Sequence, residues 1–254
     1  MRFAVNLSIL LTGLPLLERS AAAAGHGFDA VELWWPFDGP DPPEAERSAL
    51  RRAIERAGVR LVSLNFDAGD MAAGERGLLA RPGGSARFLA NVEPAVRLAG
   101  ELGCTVLNAL HGNGPGTDRE LAVANLRRAA DAAAGIGATV VVEALNSHEN
   151  PHYPITSSEA AFALIDEVGR ENVAFLADLY HLHRMSEDVL ALIDRHCSRF
   201  GHVQVADDPG RGRPGSGGMP YPEIFARLAA AGYQGHVGLE YRHEGPGAFD
   251  WRHA

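Results

Sequence analysis

The chain has 254 residues, of which 46% are hydrophobic and 22% charged, which fits one globular domain over residues 1–254 with a sizeable core. The formal net charge of −9 disfavours nucleic acid or an anionic membrane as a partner, because both select basic surfaces. All 23 basic residues are arginine, which excludes Schiff-base and pyridoxal-phosphate mechanisms that need a lysine amine.

The N-terminal run MRFAVNLSILLTG is apolar for a short distance only and carries no small-residue cleavage site. No stretch approaches the roughly 18 apolar residues of a membrane span. We therefore read this run as a first strand and predict a cytoplasmic protein. Cys104 and Cys197 lie in different segments without a CxxC motif, so we expect two buried free thiols.

Strand-like and helix-like segments alternate along the whole chain. Alanine- and leucine-rich stretches with helical spacing separate the strand candidates, and most of them end in glycine, a C-cap signal. The eight strand candidates are RFAVNL, DAVELWW, VRLVSLNF, CTVLNAL, ATVVVEAL, NVAFLAD, GHVQVAD and GHVGLEY. This order predicts a single (β/α)₈ TIM barrel, with an open doubly wound sheet as the alternative.

Polar residues follow or end most of these apolar strands. In such barrels the C-terminal strand ends carry the active site, so these residues are expected to converge. They are Glu32, Asn65, His111, Glu143, Asp178, Gln204 and Glu240. The run Val140–Val142 before Glu143 is the sharpest case, because a buried carboxylate without a partner costs several kcal/mol, on the order of 3–5.

Three carboxylates and one amide from the last four strands would repel one another without a cation. Oxygen donors favour a hard divalent ion, Mg²⁺ or Mn²⁺, over zinc. Such a site can isomerise a hydroxy-carbonyl compound: Glu143 and Glu240 move protons between neighbouring carbons, and the metal stabilises the enediolate oxygens. The expected substrate carries a hydroxyl group on the carbon next to a carbonyl.

The sequence also resembles the hydroxypyruvate isomerase family of the xylose-isomerase-like barrels, from residue 3 to about residue 241. GDMAAGERGL is the most specific of the matching motifs, and the glutamine of HVQVAD stands where related sugar epimerases carry a metal-binding histidine. The matching motifs are FAVNLS, GFDAVELWWPFD, NFDAGDMAAGERGLLARPG, VVVEALN, DLYHLHRM, HVQVAD and GYQGHVGLEY.

The resemblance implies a metal-dependent isomerase that interconverts hydroxypyruvate and 2-hydroxy-3-oxopropanoate, with Glu143 and Glu240 as the acid–base pair. The implied metal ligands are Glu143, Asp178, Gln204 and Glu240, and His181 would contact the substrate or the ligands. Close relatives in that family act instead on longer 2-oxo acids such as 2-oxotetronates, so the resemblance implies a small 2-oxo or hydroxy acid or a short sugar as the substrate. Relatives that form dimers or tetramers make a homo-oligomer an open expectation.

A 2-oxo acid requires a cation or hydrogen-bond donors for its carboxylate. Arg76, Arg242 and His111 are the candidates, with Glu75 of the same GERG segment and Asn65 as further substrate contacts. The glycine-rich segment 210–218 is most simply a mobile surface loop, although its arginines could approach an anionic substrate. Asp207 and Asp208 depart from the family pattern and add negative charge near the mouth of the barrel.

Three rival functions remain open at this stage. A ketose 3-epimerase would use the same metal and glutamates, and pocket size would separate it from an acid isomerase. An apurinic-site nuclease of the same superfamily would need a histidine-rich, multi-zinc site and a basic surface. A binding module without catalysis would be expected to lack one glutamate of the pair.

Overall fold

The computed structural model describes residues 1–243 and 245–253, and its eight parallel strands close into a barrel. Each strand pairs with the next in chain order, and β8 pairs with β1. The strands are β1 Arg2–Asn6, β2 Ala30–Leu33, β3 Arg60–Asn65, β4 Val106–Asn108, β5 Thr139–Glu143, β6 Val173–Asp178, β7 Phe200–Val205 and β8 His236–Leu239. All eight predicted strands are present, and the predicted (β/α)₈ class is confirmed.

Helices connect the strands and cover the outside of the barrel. Their bounds are α1 Leu16–Gly25, α2 Glu44–Ala57, α3 Ser85–Glu101, α4 Arg119–Ala134, α5 Ser158–Val168, α6 Leu179–Arg184, α7 Val189–His196 and α8 Tyr221–Ala230. Two short 3₁₀ turns complete the secondary structure: Cys197–Arg199 between α7 and β7, and Asp250–His253 after β8.

Helix ends follow the expected capping chemistry. Asp118 begins α4 by accepting a hydrogen bond from the backbone N–H of Leu121 at 3.0 Å. Gly58 and Gly169 end α2 and α5 in the left-handed conformation, with φ of 71° and 62°, which glycine adopts without a steric cost. These caps set where each chain segment turns back toward the barrel.

The barrel interior changes from apolar to polar along the strands. Val106, Val141 and Leu176 form a small buried cluster, and a side chain at Gly201 would collide with Val141. Aliphatic side chains therefore fill part of the barrel below the carboxyl ends of the strands, as is usual for this fold. His202, level with Leu176 in the strand register, adds a buried imidazole to this layer.

Two further expectations concern the cysteines and membrane spans. Cys104 and Cys197 are both free and buried, as predicted. Within the described part of the chain, no helix combines the length and apolar character needed to cross a bilayer.

Candidate active site

The last four strands place four oxygen-bearing side chains at one end of the barrel. Glu143 and Asp178 are the last residues of β5 and β6, Gln204 is the penultimate residue of β7, and Glu240 follows β8 directly. Asp178 pairs with Gln204 in the strand register, so both side chains point to the same side of the sheet. All four are at least 96% buried.

Three carboxylates and one imidazole lie within reach of a single ion. Glu143, Asp178, His181 and Glu240 each offer a ligand atom, and these atoms all lie within 4.8 Å of one another. The structure therefore brings together the three carboxylates predicted as metal ligands. Gln204 adjoins them, with its Nε2 3.3 Å from Oε1 of Glu240.

Gln204 is held in one orientation by a carboxylate beneath it. Its Nε2 donates to Oε1 of Glu32 at 2.8 Å, and an ionised carboxylate can only accept. Its Oε1 is consequently turned away from Glu32, and this buried oxygen has no hydrogen-bond partner among the described residues. A buried acceptor without a partner is unusual in folded proteins.

Asp178 carries a second such oxygen. Its Oδ1 accepts from the backbone N–H groups of Tyr180 and His181 at 2.9 and 3.2 Å, which caps α6. Its Oδ2 is buried without a hydrogen-bond partner among residues 1–243 and 245–253. Two such oxygens beside two further carboxylates are a donor set that fits a hard divalent cation.

His181 differs from the carboxylates in whether it can ligate a metal ion. The backbone N–H of Asn146 donates to its Nδ1 at 3.1 Å, so a neutral ring carries its proton on Nε2. That nitrogen lies 3.7 Å from Oδ2 of Asp178. Burial, with Arg211 nearby, holds the pKa of His181 well below its usual value. The ring is therefore a neutral N–H donor facing the site, which suits contact with substrate better than metal ligation.

The two glutamates have different surroundings. Glu143 accepts a hydrogen bond from Nδ2 of Asn108 at 2.7 Å, and its pKa is raised well above 4.5 by burial and then by the charges of Glu240 and Asp178. Glu240 accepts from Nε1 of Trp34 at 2.7 Å.

Arg211 forms an ion pair with Glu240. Its Nη2 donates to Oε2 of Glu240 at 2.5 Å. Burial raises the pKa of Glu240 to about 7, while the positive charge of Arg211 opposes the rise. A carboxyl group poised near neutral pH can both take and give a proton.

The segment that carries Arg211 is folded onto the site. Asp207 pairs with Gly212 through its backbone, and its carboxylate accepts from the backbone N–H groups of Gly215, Gly217 and Met219. Arg211 is only 13% exposed. Segment 210–218 was expected most simply to be a mobile surface loop, with approach of its arginines to an anionic substrate as the alternative. Arg211 lies in the barrel mouth, because Asp207 holds the turn.

A cavity of about 400 Å³ opens above the carboxylates. This is near the small end of the roughly 300–1,000 Å³ typical of ligand pockets. Of the predicted substrate contacts, Asn65, Arg76 and His181 line it, as does Arg242. Trp34 forms part of its wall, and Glu149, which was not predicted from the sequence, also lines it.

Glu75 and His111 are not among the residues that line this cavity. The carboxylate of Glu75 pairs with Arg81 and accepts from the backbone N–H of Asp70 at 2.7 Å, so it stabilises its own loop. Burial lowers the pKa of His111 to about 4, and its ring packs edge-on against Tyr153. As substrate contacts both residues stay predictions.

Comparisons with known proteins identify the family of the chain. The family model described as xylose isomerase-like TIM barrel matches residues 20–254. The chain is 53% identical over 252 residues to the putative hydroxypyruvate isomerase of Streptomyces coelicolor, covering 95% of this chain and 90% of the relative. It is 34% identical to the hydroxypyruvate isomerase of Escherichia coli, with 95% and 93% coverage. It is 36% identical to the 2-oxo-tetronate isomerase of Cupriavidus necator, with 95% and 92% coverage.

A solved structure described as an AP endonuclease of family 2 from Brucella melitensis superposes with a TM-score of 0.88 at 39% identity, covering 96% of this chain and 94% of that one. These matches place the protein among the xylose isomerase-like TIM barrels. Within that class the chain belongs to the hydroxypyruvate isomerase family. The family recognised from the motifs and the expectation of an isomerase are both confirmed.

Proposed function

We propose that the protein is a metal-dependent isomerase that interconverts hydroxypyruvate and 2-hydroxy-3-oxopropanoate through an enediolate. The observation that carries the proposal is the pair Glu143 and Glu240. Both carboxyls face one cavity and are buried, and burial raises the pKa of each above its ordinary value. Such a pair can remove a proton from one carbon and return a proton to the next.

Glu143, Asp178, Gln204 and Glu240 would hold the metal, with the unpartnered oxygens of Asp178 and Gln204 as the best support. Oxygen donors without a thiolate favour Mg²⁺ or Mn²⁺. When bound, the ion would act as a Lewis acid that polarises the substrate oxygens and neutralises the negative charge of the enediolate.

The reaction of hydroxypyruvate moves two hydrogens within the substrate. One glutamate takes a proton from the C3 hydroxymethyl carbon, and the electron pair of the broken C–H bond forms the C2–C3 double bond of the enediolate. The other glutamate delivers a proton to C2, while the hydroxyl proton moves from the C3 oxygen to the C2 oxygen. The single product carries an aldehyde at C3 and a secondary alcohol at C2, so atoms and charge balance.

The remaining side chains orient the substrate and exclude water. His181 presents a neutral N–H toward the cavity and suits a substrate oxygen. Trp34 lines the cavity and donates to Glu240, which fixes the direction in which that carboxyl approaches a substrate carbon. Such preorganisation is the protein's main contribution in an enolisation.

Isomerisation of a 2-oxotetronate is the second candidate, because relatives with that name match at similar identity and coverage. The chemistry is the same with a longer substrate. A ketose 3-epimerase would also use the two glutamates, but the epimerase structures are only about 20–22% identical and share the fold alone. The net charge of −9 and the single histidine of the cluster speak against the nuclease.

Proton NMR of hydroxypyruvate in D₂O tests the proposal, with Mg²⁺ or Mn²⁺ present and then with EDTA. The expected result is metal-dependent deuterium uptake at the hydroxymethyl carbon and appearance of the aldehyde. Glu240→Gln is the matched control, because it keeps the shape of the side chain and removes the base. Absence of exchange with hydroxypyruvate and with a 2-oxotetronate, at saturating metal, would rule the proposal out.

A further inference from the structure

Three arginines line the cavity, and they differ in how their charge is engaged. The guanidinium of Arg211 donates to Glu240 at 2.5 Å and lies 4.0 Å from Glu149, so carboxylates of the protein already balance its charge. Arg242 is exposed at the rim. Arg76 is partly buried, and no carboxylate of the described residues lies within 4.0 Å of its guanidinium nitrogens.

Arg76 is nevertheless fixed in place. One nitrogen, Nη1, donates to the backbone carbonyls of Met71 at 2.9 Å and Glu75 at 2.7 Å. Neutral carbonyls anchor the side chain without balancing its charge. The other guanidinium nitrogens make no hydrogen bond within the described part of the chain, although the side chain lines the cavity. This leaves a rigid, charged pair of donors for an incoming anion.

The loop that carries Arg76 is held on both sides. Before it, Glu75 accepts from the backbone N–H of Asp70 and pairs with Arg81. After it, the backbone N–H of Gly77 donates to the carbonyl of Ala68 at 2.9 Å. Gly77 has a φ of 106°, and a side chain there would collide with the backbone of Leu110. The position of Arg76 is therefore set by the protein before any ligand arrives.

We propose that Arg76 is the receptor for the substrate's carboxylate, and that it selects 2-oxo acids over neutral ketoses of the same length. This inference rests on the proposed function, since it names the group that the isomerase would recognise. Burial and the neighbouring cation Arg211 lower the pKa of Arg76. An anion bound beside Arg76 would therefore stabilise its charged form. An arginine fork suits a carboxylate better than a hydroxymethyl group, which offers only one neutral oxygen.

The test compares two substrates that differ only in this group. Hydroxypyruvate carries a carboxylate where dihydroxyacetone carries a hydroxymethyl group. In Arg76→Gln, kcat/KM for hydroxypyruvate should fall about 10- to 150-fold, the loss expected for a charge-assisted hydrogen bond. Most of the fall should be in KM. Deuterium exchange into dihydroxyacetone should change less than about twofold.

Binding of D-glycerate, the reduced and unreactive analogue, supplies a readout that needs no turnover. Its inhibition or dissociation constant should rise by the same factor in Arg76→Gln, and Arg76→Lys should recover part of the loss. Arg97→Gln removes an equal charge from the exposed face of α3 and should leave both constants unchanged.

Unchanged glycerate binding in Arg76→Gln, or equal losses for hydroxypyruvate and dihydroxyacetone, would overturn the assignment. A loss of glycerate binding confined to Arg242→Gln would move the receptor to the rim and also overturn it. If the wild-type protein exchanges neither substrate but Arg76→Gln still weakens glycerate binding, then the isomerase proposal fails and the carboxylate receptor stands.

Discussion

Glu32 accepts a hydrogen bond from the side-chain amide of Gln204, and this contact fixes the orientation of the amide beside the carboxylate cluster. Oε1 of Glu32 lies 2.8 Å from Nε2 of Gln204, and its Oε2 lies 2.6 Å from Nε2 of His202. Because the carboxylate must accept, the amide nitrogen of Gln204 faces Glu32, and its buried Oε1 is left without a hydrogen-bond partner among the described residues. Mutation of a group that orients a metal ligand through a hydrogen bond typically lowers metal affinity by about 10- to 100-fold.

Glu32→Gln should weaken binding of Mn²⁺ by about tenfold, because an amide at position 32 can donate as well as accept and lets Gln204 turn over. Titration followed by the electron paramagnetic resonance of free Mn²⁺ measures this directly. Gly238→Ala is a second variant that reaches the same carboxylate, since a methyl group there would collide with Glu32. Affinity equal to wild type in both variants, with both folded by melting, would contradict the role of Glu32.

The sequence predicts the position of Glu143 more directly than that of any other site residue. A carboxylate after three β-branched residues conflicts with burial unless the strand ends at a site, and β5 does end there. The sequence also identifies Glu32 as a polar residue at a strand end, but it does not reveal which residue Glu32 contacts. Gln204 lies 172 positions away, and only closure of the barrel brings the two together.

Arg211 marks the limit of prediction from sequence. Its segment is rich in glycine and proline, which favours an exposed loop. Its true position depends on the buried carboxylate of Asp207, which accepts from backbone N–H groups of the turn. A local pattern does not reveal whether an aspartate faces solvent or organises a turn, because that depends on long-range burial.

The contribution of Glu240 to the stability of the metal-free protein should fall as the pH rises from about 5 to 8. Glu240 has its pKa raised by burial to about 7 from an ordinary 4.5. Its contribution to stability is therefore fully present below about 4.5 and is lost as the pH rises through about 7. The melting temperature of wild type minus that of Glu240→Gln, a difference in which the contributions of the buried histidines cancel, should therefore fall across this range. If the melting temperatures of the two proteins change equally with pH, ionisation of Glu240 costs no free energy of folding and the prediction is wrong. Added Mg²⁺ should make the wild-type melting temperature less dependent on pH.

Arg211→Gln should bind a divalent cation more tightly and turn over substrate more slowly. The guanidinium lies 2.5 Å from Glu240 and 3.9 Å from Asp178, so its charge repels an ion held by those oxygens. At pH 8.5 we expect about a tenfold gain in Mn²⁺ affinity from removing one nearby like charge. Arg213→Gln removes the same charge two residues along the loop and should change little. Weaker metal binding in Arg211→Gln would indicate that the guanidinium only holds the loop in place.

Asp178→Asn should separate metal binding from folding. The substitution keeps Oδ1, which caps α6 through Tyr180 and His181, and replaces the unpartnered Oδ2 with a nitrogen that cannot bind a cation. The cap is therefore retained, and the like-charge repulsion of the cluster falls, so the metal-free protein should melt at or above the wild-type temperature. Mn²⁺ affinity should fall by more than the roughly 10- to 100-fold that outer-sphere changes cost. Asp178→Ala, which removes the cap as well, should lose about 1 kcal/mol of stability in addition. If Asp178→Asn binds Mn²⁺ as the wild type does, the ion is held elsewhere and the proposed ligand set is wrong.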